Sequence, residues 1–155
     1  MTVRGTPLEL LKSHSKPNGF SPPSHSPESP GARIRCIRME QNLTIEDLAA
    51  AIGLSVTDLG YIERGRVLPS LSTLRKLAAT LGSPIAYLGC FEKMPEETLG
   101  QRIEKARHYM GYTKAEFAAH LGVNVKTVYN WERSRTVPPG EHMGKIQSLI
   151  NSFLK

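Results

Sequence analysis

The sequence predicts an all-α protein of two small helical domains in tandem behind an N-terminal arm, and three observations carry that prediction. From residue 31 onward, apolar residues recur at helical spacing with no convincing strand. The chain also matches itself at a shift of 69 residues, Arg33–Pro69 lying over Arg102–Pro138 without a gap and with 12 of 37 positions identical. Finally, the first 30 residues hold 6 of the 11 prolines and 6 serines, closing in the helix-breaking run GFSPPSHSPESPG.

Composition bounds the rest. Over 155 residues, 39% hydrophobic and 22% charged side chains suffice for a core, unlike those of a wholly disordered or collagen-like chain. Two cysteines, Cys36 and Cys90, are too few for a disulfide framework or a zinc knuckle. No apolar run approaches the roughly 18 residues of a membrane span, and Thr6–Lys12 is too short and too acidic for a signal peptide's apolar region. The expectation is a cytoplasmic, nucleoid-associated protein with no membrane partner. A net charge of +6, from 20 Lys plus Arg against 14 Asp plus Glu, favours an anionic partner but carries no specificity.

Residues 1–30 read as a disordered arm, in which Thr6, Pro7, Leu8, Leu10 and Leu11 form either a frayed tail or a partner-docking peptide. The first domain follows over residues 31–89. Ile34 and Ile37 lie one turn apart on its opening helix. Thr44 then caps a second helix, with Glu46 and Asp47 where the helix dipole favours acids. Leu48, Ala49 and Ile52 form the inner face of that helix, and Gly53 ends it in a left-handed conformation. Leu54 plugs the corner, and Ser55 caps a third helix with Leu59 and Ile62 inside. Residues 90–97, CFEKMPEE, read as an acidic linker interrupted by Pro95. The second domain, residues 98–155, repeats the design with Thr113, Phe117, Ala118, Leu121, Gly122, Val123, Asn124, Val128 and Trp131. Its last segment spaces Met143, Ile146, Leu149, Ile150 and Phe153 helically, to complete the core or to seal a homodimer. Domains this small bury only about 60% of their unfolded surface, so the copies are expected to lean on each other or on a second chain.

Two short helices joined through a small residue, a glycine and an apolar plug make a helix-turn-helix, whose second member can enter the major groove of DNA. The stretches TIEDLAAAIGLSVTDLGYIERGRVLPS and TKAEFAAHLGVNVKTVYNWERSRTVPP resemble the lambda-repressor and Cro-like (XRE-type) helix-turn-helix family. The resemblance covers residues 31–89 and 98 to about 150, with SLSTLRKLAATLGSPIAYLG as the family's closing helices. It implies two tandem five-helix domains and a sequence-specific regulator of transcription that binds double-stranded DNA, more readily a repressor than an activator. It also implies structural ion pairs, Arg38 with Glu63 and Arg107 with Glu132, rather than acid-base chemistry.

By the same resemblance, the groove-facing positions in the second copy are Lys114, Val125, Lys126, Thr127, Asn130, Arg133 and Arg135. Lys114 and Arg133 suit phosphate, Lys126 can reach guanine O6/N7, Asn130 an adenine edge, and Val125 a thymine methyl. The first copy presents Val56, Thr57, Tyr61, Arg64 and Arg66, a poorer surface because Ile45 cannot bond phosphate, Asp58 is repelled by it and Gly60 weakens the helix. Charge agrees: residues 31–89 carry 7 basic and 5 acidic groups, residues 98–155 carry 9 and 4. The first copy can therefore contact DNA, dimerise, or hold a protein partner through Ile45, Val56 and Tyr61. The rival reading is an antitoxin-like or assembly module whose second copy only autoregulates. No cofactor, metal or enzymatic activity is expected. His108, His120 and His142 lack ligand spacing, and neither copy supplies a nucleophile. Cys36 reads as a small buried hydrophobe, Cys90 as a linker thiol, Trp131 as core, and Arg35, Arg102 and Lys105 as solvated first-helix residues.

Overall fold

The structure, a computed structural model, describes residues 20, 22 and 26–154; the reading of Thr6–Leu11 lies outside them. The described residues are helical with no strand, and the chain divides into two compact units between Glu92 and Lys93. The first unit contains α1 (Pro30–Glu40), α2 (Ile45–Ile52), α3 (Val56–Glu63), α4 (Leu71–Leu81) and α5 (Ile85–Leu88). The second contains α6 (Leu99–Met110), α7 (Lys114–Leu121), α8 (Val125–Glu132) and α9 (Gly140–Phe153). A 3-10 turn, Phe91–Lys93, lies across the division in sequence.

Helix boundaries follow local chemistry. Thr44 and Thr113 each accept a hydrogen bond from the backbone N–H three residues on, and Asp47 and Glu116 reach back to the cap N–H. Each box satisfies two N-terminal donors reciprocally. Gly53 (φ 73°) and Gly122 (φ 70°) then stop α2 and α7 in the left-handed region. Ser55 and Asn124 cap α3 and α8, so both helix pairs are punctuated in the same way at both ends.

Within each unit, the opening helix packs against the third, and the second and third helices pack together. Leu48, Ala49, Ile52, Leu59 and Ile62 are buried in the first unit, Phe117, Ala118, Leu121, Val128 and Trp131 in the second. The opening helix approaches the end of the third so closely that a β-carbon at Gly31 would overlap the carbonyl oxygen of Ile62. One at Gly100 would lie 2.6 Å from those of Trp131 and Glu132. These two glycines, also 69 residues apart, extend the repeat beyond its first matched position.

Several expectations are corrected. The first unit has the five helices expected, but the second has four among the described residues. Where Gly82, Ser83 and Pro84 break the closing segment of the first unit, the second runs unbroken for 14 residues from Gly140 to Phe153. Ile146 and Ile150 are buried against Phe117 and Trp131, so this helix completes the second core. The arm expected to be disordered through residue 30 is packed from Ser26. Ser26 hydrogen-bonds Tyr87 at 3.2 Å, the Pro27 carbonyl accepts from Arg33 at 2.7 Å, Ser29 caps α1, and the Phe20 ring lies 5.1 Å from that of Tyr87. The linker expected at 90–97 is largely absorbed by the units: Cys90 and Phe91 are buried, Glu92 pairs with Arg33 at 2.5 Å, and Glu96 pairs with Lys105 at 2.9 Å. Lys105 is accordingly buried rather than solvated. Cys36 is half-buried beside Glu40, and burial followed by that carboxylate pushes its thiol pKa up.

Candidate nucleic-acid interface

Each helix pair stands on a two-pronged ion pair. Arg38 donates to both Glu63 carboxylate oxygens at 2.8 Å and through its third nitrogen to the Leu43 carbonyl at 2.8 Å. Arg107 does the same with Glu132 at 2.5 and 3.2 Å and with the Tyr112 carbonyl at 2.8 Å. Each guanidinium thus ties the opening helix, the turn after it and the end of the third helix to one point. Hydrogen bonding to Glu63 raises the pKa of Arg38. Both oxygens of each carboxylate accept a guanidinium N–H.

On this base, α8 presents a mixed face. Val128, Trp131 and Glu132 point inward and are buried, whereas Val125 and Lys126 are exposed and Thr127 and Asn130 half-buried. Asn124 accepts from the Lys126 N–H at 2.8 Å, which occupies its oxygen as the cap. Trp131 is 2% exposed and serves packing. Lys114, at the first position of α7, has its ammonium 3.9 Å from Glu132, so it is both partly exposed and loosely tethered to the ion pair.

After α8 the chain turns through Ser134 (φ 57°), and the Arg135 N–H returns to the Asn130 carbonyl at 2.9 Å. The turn brings Arg133 and Arg135 over one ring: their guanidinium carbons lie 5.0 and 5.5 Å from the centroid of Tyr129. Sequence reasoning passed over Tyr129. The available signal was its position one turn before Arg133, where the first copy has Gly60.

The corresponding face of α3 differs. Val56 and Tyr61 are exposed, as are Thr57, Asp58, Arg64 and Arg66, while Ile45 is half-buried on α2. Arg64 lies over its own helix, 5.5 Å from the Tyr61 ring and beside Gly60. The following loop exposes Val67 and Leu68, the latter 78%. The structure thus brings Lys126, Thr127, Asn130, Arg133 and Arg135 onto one helix and its turn beside the exposed Val125 and Val137, while the matching face of the first copy keeps Arg64 and Arg66 but carries Asp58 and Tyr61. Among the described residues no group of three or more His, Cys, Asp and Glu is placed to hold a metal, and no helix is long and apolar enough to cross a membrane.

Comparison with known proteins finds a different family profile over each unit. A helix-turn-helix family profile matches residues 34–88, the first unit from α1 through α5. A second profile, described as the putative ATPase subunit of terminase (gpP-like), matches residues 105–137, which contain α7 and α8. The chain is 36% identical over 92 residues to the HTH-type transcriptional repressor RghR of Bacillus subtilis, covering 53% of this chain and 68% of that one. It is 44% identical over 69 residues to the immunity repressor protein of Bacillus phage phi105, 44% of each chain. It is 46% identical over 59 residues to the HTH-type transcriptional regulator Mb0023 of Mycobacterium bovis, which is 38% of this chain but only 23% of that regulator. No solved structure matches the chain. With the profile over its first unit and a relative matched across more than two thirds of its length, the chain belongs to the helix-turn-helix family of transcriptional regulators.

Proposed function

We propose that the protein is a sequence-specific regulator of transcription, acting without enzymatic chemistry, that binds double-stranded DNA with two tandem lambda-repressor-like units and reads the major groove mainly through α8. The observation that carries this reading is the surface of α8 and its turn. Val125, Lys126, Thr127, Asn130, Arg133 and Arg135 are exposed or half-exposed, while Val128 and Trp131 between them are buried. Lys126 and Asn130 have the hydrogen-bonding groups that distinguish base edges, and Lys114, Arg133 and Arg135 suit phosphate. Repression is the direction proposed, in line with the names of the Bacillus and phage relatives. In the first unit, Val56, Thr57, Tyr61, Arg64 and Arg66 form the weaker DNA face.

A fluorescence titration at several salt concentrations tests this, with a duplex selected by the protein from a random library compared against unselected duplex. Asn130→Ala is expected to relax preference at one base position by about 1 to 3 kcal/mol. Lys114→Ala is expected to weaken both duplexes alike and to flatten the salt dependence by about one unit. Equal losses on selected and unselected duplex for Asn130→Ala would overturn its role as a base reader.

One observation favours a second use of the first unit, as a protein-interaction or homodimer surface. Tyr61 and Val67 are exposed there where the second unit has Asn130 and Thr136, and Asp58 beside them disfavours phosphate, whereas the exposed Val56 and Leu68 recur as Val125 and Val137. Co-purification of a small protein that is lost on Tyr61→Glu supports that use; a monomeric chain with no companion argues against it.

A further inference from the structure

We infer that Tyr129 is the positioning residue of the DNA-binding surface, holding Arg133 and Arg135 together as a preformed grip for the phosphodiester backbone. The inference rests on the DNA-binding reading above and adds to it how the two cations are aimed. Three observations converge. Both guanidinium groups lie within 5.5 Å of the same ring centroid, inside the range where the ring's negative face attracts a cation. Both side chains are exposed, and neither has a carboxylate partner among the described residues, so two like charges are gathered with no anion between them. The left-handed turn at Ser134 (φ 57°), which the first unit shares at Gly65 (φ 76°), returns the Arg135 N–H to the Asn130 carbonyl and so carries Arg135 to the ring that Arg133 already covers.

Two long cations left free in water spread apart. Stacking on a shared ring restricts them before an anion arrives, so less side-chain freedom is lost on binding. A phosphodiester oxygen is the anion such a pair fits, since guanidinium N–H groups present planar paired donors to phosphate. The first unit lacks the device: at the matching position Gly60 offers no ring, and Arg64 stacks instead on Tyr61.

The test uses the full chain and an unselected random-sequence duplex at low salt, where only phosphate contacts register. Tyr129→Ala is expected to weaken binding roughly 5-fold through loss of two exposed cation–π contacts, and Tyr129→Phe to bind as the native chain does. Adding Tyr129→Ala to an Arg133→Ala/Arg135→Ala background is expected to cause no further loss. Tyr129→Leu, which keeps bulk without the ring's charge distribution, should behave as the alanine variant does and guards against a simple folding defect. In the free protein, the Nε–H resonances of Arg133 and Arg135 should carry a ring-current shift that disappears in Tyr129→Leu. A full Tyr129→Ala loss persisting in the double-arginine background, a matching loss in Tyr129→Phe, or an absent ring-current shift overturns the positioning role while leaving DNA binding intact. If the native chain binds no duplex at all, the functional reading falls and takes this inference with it.

Discussion

The two units share a skeleton and diverge on their surfaces. In the first, Arg38 is 12% exposed where it grips Glu63; in the second, Arg107 is 4% exposed and Glu132 3%, a more enclosed version of the same joint. Above the joint, α3 carries Asp58, Gly60 and Tyr61 where α8 carries Thr127, Tyr129 and Asn130. The difference teaches that the fold constrains the joint, the caps and the left-handed glycine, but leaves the outer face of the third helix free. Asp58, Gly60 and Tyr61 can thus give way to Thr127, Tyr129 and Asn130 without unsettling either core.

The sharpest way to break this comparison is through the joint. Arg107→Ala leaves Glu132 buried with Lys114 as a distant neighbour, and is expected to destabilise the second unit by about 3 to 5 kcal/mol. Arg38→Ala should fall at or below the bottom of that range. Trp131 is the single tryptophan of the chain and lies in the second unit, so its fluorescence in a urea titration follows that unit while circular dichroism follows both. An Arg38→Ala variant that shifts the Trp131 transition as far as Arg107→Ala does would show that the units do not unfold separately.

Glycines sharpen the comparison with smaller effects of opposite sign. Gly31→Ala drives a methyl into the backbone at the end of α3 and should cost about 1 to 3 kcal/mol. Gly60→Ala meets only the movable end of Arg64, 3.0 Å away, and should stabilise α3 by about 0.5 to 1 kcal/mol. Thermal unfolding by circular dichroism separates the two.

The smallest expected effect is a pH dependence confined to one unit. Burial lowers the pKa of His108 below its ordinary 6.5, against the opposing hydrogen bond to the Glu104 carbonyl and in the presence of Arg107 and Glu132. Because the folded state disfavours the proton, stability is present above pH 6.5 and is lost as pH falls through the lowered value. The Trp131 transition should therefore weaken on mild acidification, and His108→Gln should flatten that trend. The first unit has Met39, which does not titrate, at this position.

Much of the architecture was legible because its determinants are local. Thr44, Gly53, Ser55 and their counterparts act on backbone groups within a few residues, and the self-match marked both joints. The burial of Lys105 and Cys90 and the packing of Ser26–Ser29 depend on partners met only after folding: Glu96 for Lys105, the Glu28 carbonyl for Cys90, Tyr87 for Ser26. Gly31 and Gly100 were within reach of the repeat but lay just outside its matched stretch. Tyr129 was within reach one turn before Arg133, but the second cation over its ring, Arg135, is brought there by the left-handed turn at Ser134, where the first copy has Gly65.

Arg33 sets a limit on how the chain can be trimmed. Its guanidinium donates to the carbonyls of Pro27 and Tyr87, pairs with Glu92 and stacks 4.5 Å from the ring of Tyr87, whose hydroxyl donates to Ser26. A fragment cut to the bare helical repeat, starting at residue 31 and stopping at residue 89, would strand this buried cation without Pro27 and Glu92. A fragment of the first unit is therefore expected to be more stable when it runs from Ser26 to at least Glu92 than when it is cut to residues 31–89, and thermal unfolding of the two fragments checks this.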